Sequence, residues 1–131
     1  MTEFELIRSY FSRPAPGAIL GAGDDCALLR PRPDRQLAVS TDMLVEGRHF
    51  LHGTDARRLG HKSLAVNLSD LAAMGADARW ALLAIALPCA DEAWLAAFAE
   101  GFYALAAAHG VDLVGGDTTR GPRCISVTVM G

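Results

Sequence analysis

The chain has 131 residues, a length that suits one domain and is too short for two independently folded ones. Hydrophobic residues make up 51% and charged residues 21%, so a sizeable core can form and wholesale disorder is excluded. A net charge of −3, with no run of Lys or Arg, argues against a nucleic-acid partner.

The first element is a helix announced by Thr2 and Glu5, a capping-box spacing, with Phe4, Ile7 and Phe11 on one face. Pro14, Pro16 and Gly17 end it. Short strands are predicted at Ile19–Leu20 and Ala27–Leu29 around the tight segment Gly21 to Asp25, then a longer strand from Leu37 to about Val45. From Asp55 to about Gly75 the period turns helical, with Leu64, Leu68, Leu71 and Ala72 in step. Ala81 to Leu87 is apolar without alternation, the pattern of a strand covered on both faces. Asp91 caps a further helix whose apolar stripe is Trp94, Phe98, Phe102 and Leu105, and Gly110 follows as its C-terminal stop. A short strand over Val111 to Val114, a loop over Gly115 to Gly121 and an alternating strand over Cys124 to Met130 complete the chain.

This order predicts an α/β (α+β) fold, a mixed β-sheet with helices packed on one side. It forms a single domain over 1–131, and the last strand runs into Gly131 as though cut at a domain boundary. No stretch reaches bilayer length, and the acidic N-terminus lacks the basic start of a signal peptide. Cys26, Cys89 and Cys124 form no C-x-x-C pair and read as reduced thiols. The expected location is cytoplasmic, with no membrane partner.

Acids gather at the ends of predicted elements: Asp24 and Asp25 in the Gly-rich turn, Asp42 after Ser40 and Thr41, Asp70, and Asp117 after Gly115 and Gly116. Carboxylates with neighbouring hydroxyls, converging from several elements, are the hard oxygen donors that magnesium takes beside water and phosphate. Each has a plainer reading. Asp24 and Asp25 are also good turn formers, and Asp117 suits an Asx turn. Ser63, Asn67 and Asp70 also fit a polar stripe facing solvent. Asp42 is the odd one, since Asp is disfavoured inside a strand. Paired glycines at 115–116 would let backbone amides approach a phosphate. His49 alone reads as a loop residue. No Walker A, G-x-G-x-x-G or G-x-S-x-G pattern is present.

As a set, Gly23-Asp24-Asp25-Cys26-Ala27, Ser40-Thr41-Asp42-Met43-Leu44-Val45, His49-Phe50, the run from Asn67 to Ala76 (NLSDLAAMGA) and that from Gly115 to Gly121 (GGDTTRG) resemble one family. They are similar to the amino-terminal domain of the bacterial thiamine-monophosphate kinases, within the aminoimidazole ribonucleotide synthetase-like superfamily. The resemblance covers essentially the whole chain. It implies transfer of the γ-phosphoryl group of ATP to thiamine monophosphate, several Mg2+ ions, and a homodimer paired through amino-terminal strands. By match of motif, Asp25, Ser40, Thr41, Asp42, Asp70 and Asp117 would ligate magnesium, and Asp24 matches as well. Gly116 and Asp117 would lie at ATP, and His49 at the thiamine phosphate. The family continues into a carboxy-terminal domain, so this chain is expected to be weak or inactive by itself. No general base is implied, because the acceptor is already an ionised phosphate oxygen.

Overall fold

The computed structural model describes residues 1–131. Helix α1 (Glu3–Tyr10) opens with the expected capping box: Thr2 accepts from the Glu5 amide, and the Glu5 carboxylate accepts from the Thr2 amide at 2.7 Å. It buries Leu6, and of the predicted face Phe11 is buried and Ile7 half-buried, while Phe4 stands 79% exposed. Strand β1 (Val39–Val45) follows a long irregular stretch, then α2 (Ala56–Ala73), β2 (Trp80–Leu87), α3 (Glu92–Ala108), β3 (Asp112–Arg120) and β4 (Cys124–Met130).

The four strands lie in the order β1-β4-β2-β3. β2 and β3 are parallel, joined through α3, and β4 runs antiparallel to both β1 and β2. The sheet is therefore mixed, as expected, and α2 and α3 pack on one face of it. That face carries Leu83, Ile85, Ile125, Val127 and Val129, all buried. Over it, Trp94, Phe98 and Phe102 stack along α3, with Trp94 and Phe98 centroids 5.1 Å apart, and Phe11 meets Phe98 edge-on.

Three expectations change. The strands predicted at 19–20 and 27–29 reduce to a single bridge between Leu20 and Leu28, because no sheet strand lies alongside to accept more bonds. β2 is not covered on both faces along its length: Ala84 is exposed and Leu82 half-buried. Finally, the loop expected at 115–121 is strand as far as Arg120, part of β3 paired to β2 through Thr119 and Arg120. Gly116 makes this possible. Its φ of +147° and its close approach to the Leu83 backbone leave no room for a Cβ.

The coil between α1 and β1 is tied to the sheet at its N-terminal part. The Gly17 amide donates to Asp112 Oδ2 at 2.7 Å, and Trp80 Nε1 donates to the Gly17 carbonyl at 2.9 Å. No helix is long and apolar enough to cross a membrane.

Candidate active site

Strand register decides where the acids go, because residues paired across neighbouring strands share a face. Asp42 pairs with Val127, and Val127 with Leu83, so Asp42 lies on the helix-covered face at the β1 edge. Asp70, on the last turns of α2, meets it there. The Asp42 carboxyl is held above the usual carboxylate range, first by burial, then by the charge of Asp70 and a hydrogen bond with it, against the pull of His49. Two carboxylates kept this close repel unless a proton or a cation lies between them.

Asp117 pairs with Ala84, which pairs with Ser126, so it lies on the open face at the opposite edge. Three strand spacings of about 4.8 Å separate the edges, roughly 14 Å. Asp117 and Asp25 instead line one groove of about 750 Å³, together with Asp24, Gly23 and Gly116. Its floor is apolar, with Leu82 and Met130 from the sheet and Phe4 and Ile7 from α1. Asp24 is occupied locally, accepting from the Asp25 amide at 2.8 Å, which is the turn-forming role open to it from sequence. Of the two hydroxyls, Ser40 shares the Asp42 face, pairing with Val129, and Thr41 lies on the open face and donates to the Val127 carbonyl at 3.1 Å.

The predicted carboxylate ligands thus form two groups, Thr41 stands apart from both, and no three His, Cys, Asp or Glu side chains come together. The donor set fits magnesium: both groups are carboxylates, without a thiolate or imidazole pair to prefer a softer ion.

The stripe Ser63-Asn67-Asp70 does not face solvent as a unit. Ser63 and Asn67 are buried against the sheet, and only Asp70 is exposed. Asn67 Nδ2 donates to the Ser63 carbonyl at 3.0 Å, and its Oδ1 is buried with no partner. That orphaned oxygen lies one helical turn from Asp70 in the sequence of α2. The sequence marked Asn67 only as part of a polar stripe, and its inward aim follows from the α2 face it shares with Leu59, Ser63 and Leu71.

His49 stands just past β1 in a tight turn. Its Nδ1 accepts from the Val45 amide at 2.9 Å, and its carbonyl accepts from Lys62 Nζ at 2.8 Å. It is exposed, and it is near enough to Asp42 to act on that carboxyl. Lys62 gave no signal in the sequence, where it is one cation among twelve.

A helix-backed mixed sheet with carboxylates at both edges defines the class. The chain matches the AIR synthase related protein, N-terminal domain family over residues 23–131, and it belongs to that family. It is 50% identical over 132 residues to the thiamine-monophosphate kinase of Escherichia coli (strain K12), a match covering 98% of this chain and 41% of that protein. Among solved structures, it resembles the thiamine-monophosphate kinase of Stenotrophomonas maltophilia K279a with a TM-score of 0.83 and 52% identity, over 98% of this chain and 40% of that one. It resembles AaThiL complexed with AMPPCP and TMP with a TM-score of 0.72 and 29% identity, over 98% and 40% of the two chains. The family read from the motifs is borne out. The chain spans about two fifths of the length of the relatives it matches.

Proposed function

We propose that residues 1–131 are the amino-terminal domain of an ATP-dependent kinase that phosphorylates thiamine monophosphate to thiamine diphosphate. The observation that carries this reading is the 50% identity to a thiamine-monophosphate kinase across almost the whole chain. A carboxy-terminal domain, as the greater length of the relatives implies, completes the enzyme, and its location is cytoplasmic.

In this reading a phosphate oxygen of thiamine monophosphate attacks the γ-phosphorus of ATP, the bond to the β–γ bridging oxygen breaks, and ADP leaves. Phosphoryl transfer between anions needs charge neutralisation and in-line positioning more than a covalent nucleophile. Asp42 and Asp70, and Asp25 and Asp117, would hold magnesium, which would supply that neutralisation. Ser40 and Thr41 add hydroxyl oxygens on either face of β1, and Gly116 and Asp117 lie at ATP. His49 takes the acceptor phosphate. Two separated acidic groups suit several ions better than one. A homodimer through the amino-terminal strands is supported by the bare edge of β1, where Val39 and Met43 are each 57% exposed on the open face.

The test is turnover by the complete gene product, with ATP, Mg2+ and thiamine monophosphate, followed by chromatography of thiamine diphosphate. Product should require all three components and fall at least a hundredfold with Asp42→Asn, the scale on which electrostatic stabilisation of a transition state acts (~10²–10³). ATP consumption only with other acceptors would move the protein elsewhere in the superfamily. Release of free phosphate without an acceptor would make it a phosphatase.

A further inference from the structure

Lys62 lies on the exposed side of α2, outside every role assigned above, yet it alone reaches the His49 turn from a helix with a hydrogen bond. That turn is closed on itself. The Val45 carbonyl accepts from the amides of Arg48 and His49 at 3.0 and 2.9 Å, and the Gly47 amide donates to the Phe50 carbonyl at 2.7 Å. Gly47 sits at φ +84°, and Phe50 is buried beneath. Two further bonds hold His49 itself. Lys62 Nζ fixes the peptide through its carbonyl oxygen, and the Val45 amide fixes the ring through Nδ1.

The chemistry of the ring follows from its partner. A main-chain N–H only donates, so Nδ1 is the bare nitrogen, and the proton of the neutral ring sits on Nε2. The exposed side of His49 is therefore a donor. Phosphate oxygens are acceptors, so this ring is matched to a phosphate and mismatched to a ligand that offers only N–H or O–H groups.

We propose that Lys62 is a positioning residue that holds His49 with Nε2–H outward, as the donor to a phosphate oxygen of the acceptor substrate. Naming that phosphate as thiamine monophosphate rests on the proposed function, whereas the orientation of the ring does not. Lys62 and Asp70 share α2, so one rigid element sets both the histidine and a carboxylate of the Asp42 pair.

The test uses Lys62→Met, which keeps most of the stem and loses the donor, and Lys62→Arg, which keeps one. In ring 1H–15N spectra of the labelled chain, His49 shows the single Nε2–H tautomer. Lys62→Met gives a mixed tautomer for His49, leaves the signals of His52, His61 and His109 in place, and Lys62→Arg restores the pattern. Inorganic phosphate titrated into the chain shifts the His49 signals, and binds roughly tenfold more weakly in Lys62→Met, the scale of one charge-assisted hydrogen bond. In the complete gene product, KM for thiamine monophosphate rises by a similar factor and KM for ATP does not. A Lys62→Met chain with the wild-type His49 tautomer and wild-type phosphate titration overturns the proposal. Ring and phosphate effects as described, with no turnover of thiamine monophosphate by the wild type, sustain the positioning role and count against the reaction.

Discussion

Burial and a guanidinium act in opposite senses on Tyr103. The phenol is buried, which penalises its charged form, while Arg13 lies 3.8 Å from the ring centroid and favours it; burial wins, and the pKa is pushed up to about 12. Tyr10 is raised as well, by burial first and then by the charge and hydrogen bond of Glu92. The chain has two tyrosines, so ultraviolet titration should show little tyrosinate at pH 10 and a step for Tyr103 near 12. The unfolded chain ionises at the ordinary value, so the folded state binds more protons above it and stability falls from about pH 10 upward. Tyr103→Phe should flatten that fall, and half-ionised tyrosines at pH 10 in the folded chain would contradict it. Asp42 follows the same logic with the opposite consequence for function. Its carboxylate is repelled by Asp70, so removing its charge in Asp42→Asn should raise the melting temperature of the metal-free chain at neutral pH while abolishing turnover. That a strand aspartate was out of place could be read from the sequence. That its partner would be Asp70 could not, because the pairing depends on how α2 lies across β1.

At the scale of elements, α2 and α3 approach backbone to backbone. A Cβ on Gly60 would overlap the Phe98 carbonyl, and one on Gly101 would overlap that of Arg57. Neither backbone can yield without separating helices whose other contacts are buried aromatics, so Gly101→Ala should cost about 3 kcal/mol of unfolding free energy, the upper end for overpacking. Denaturant melts would show it as a lower midpoint at unchanged slope. An alanine variant as stable as the parent would mean the crossing is looser than described. Periodicity located both helices closely, along with the Asp91 cap, because amphipathic period and capping are local properties. It misread Gly115 to Gly121 as a loop because glycines look like turns when the strand they press against is remote in sequence. Gly116 needs its freedom for β2, some thirty residues upstream, and no local pattern carries that information.

For the whole molecule, the sheet keeps its two acidic groups on opposite edges and opposite faces, so charge relief at one is independent of the other. Magnesium binding to the folded chain should raise its melting temperature. At ten times its dissociation constant one ion adds about 1.4 kcal/mol, worth a few degrees in a domain of this size. The increment should shrink with Asp42→Asn and again with Asp117→Asn, and a shift removed entirely by Asp42→Asn would show that only the β1 edge binds. Alternation and helical period made the mixed, one-sided architecture legible from the amino acids. Strand order was not, and with it went the separation of the acids, since β4 enters between β1 and β2 through pairings as distant as Val39 with Met130.

That strand order also dictates when the sheet can exist during synthesis. A nascent chain exposed as far as Arg120 holds β2 and β3 as a parallel pair, with β1 isolated and the inner faces of α2 and α3 only partly covered. Non-local pairing is slow and comes late. Until Cys124 to Met130 emerge from the ribosome, β1 has no partner strand, and both of its backbone edges stay unpaired.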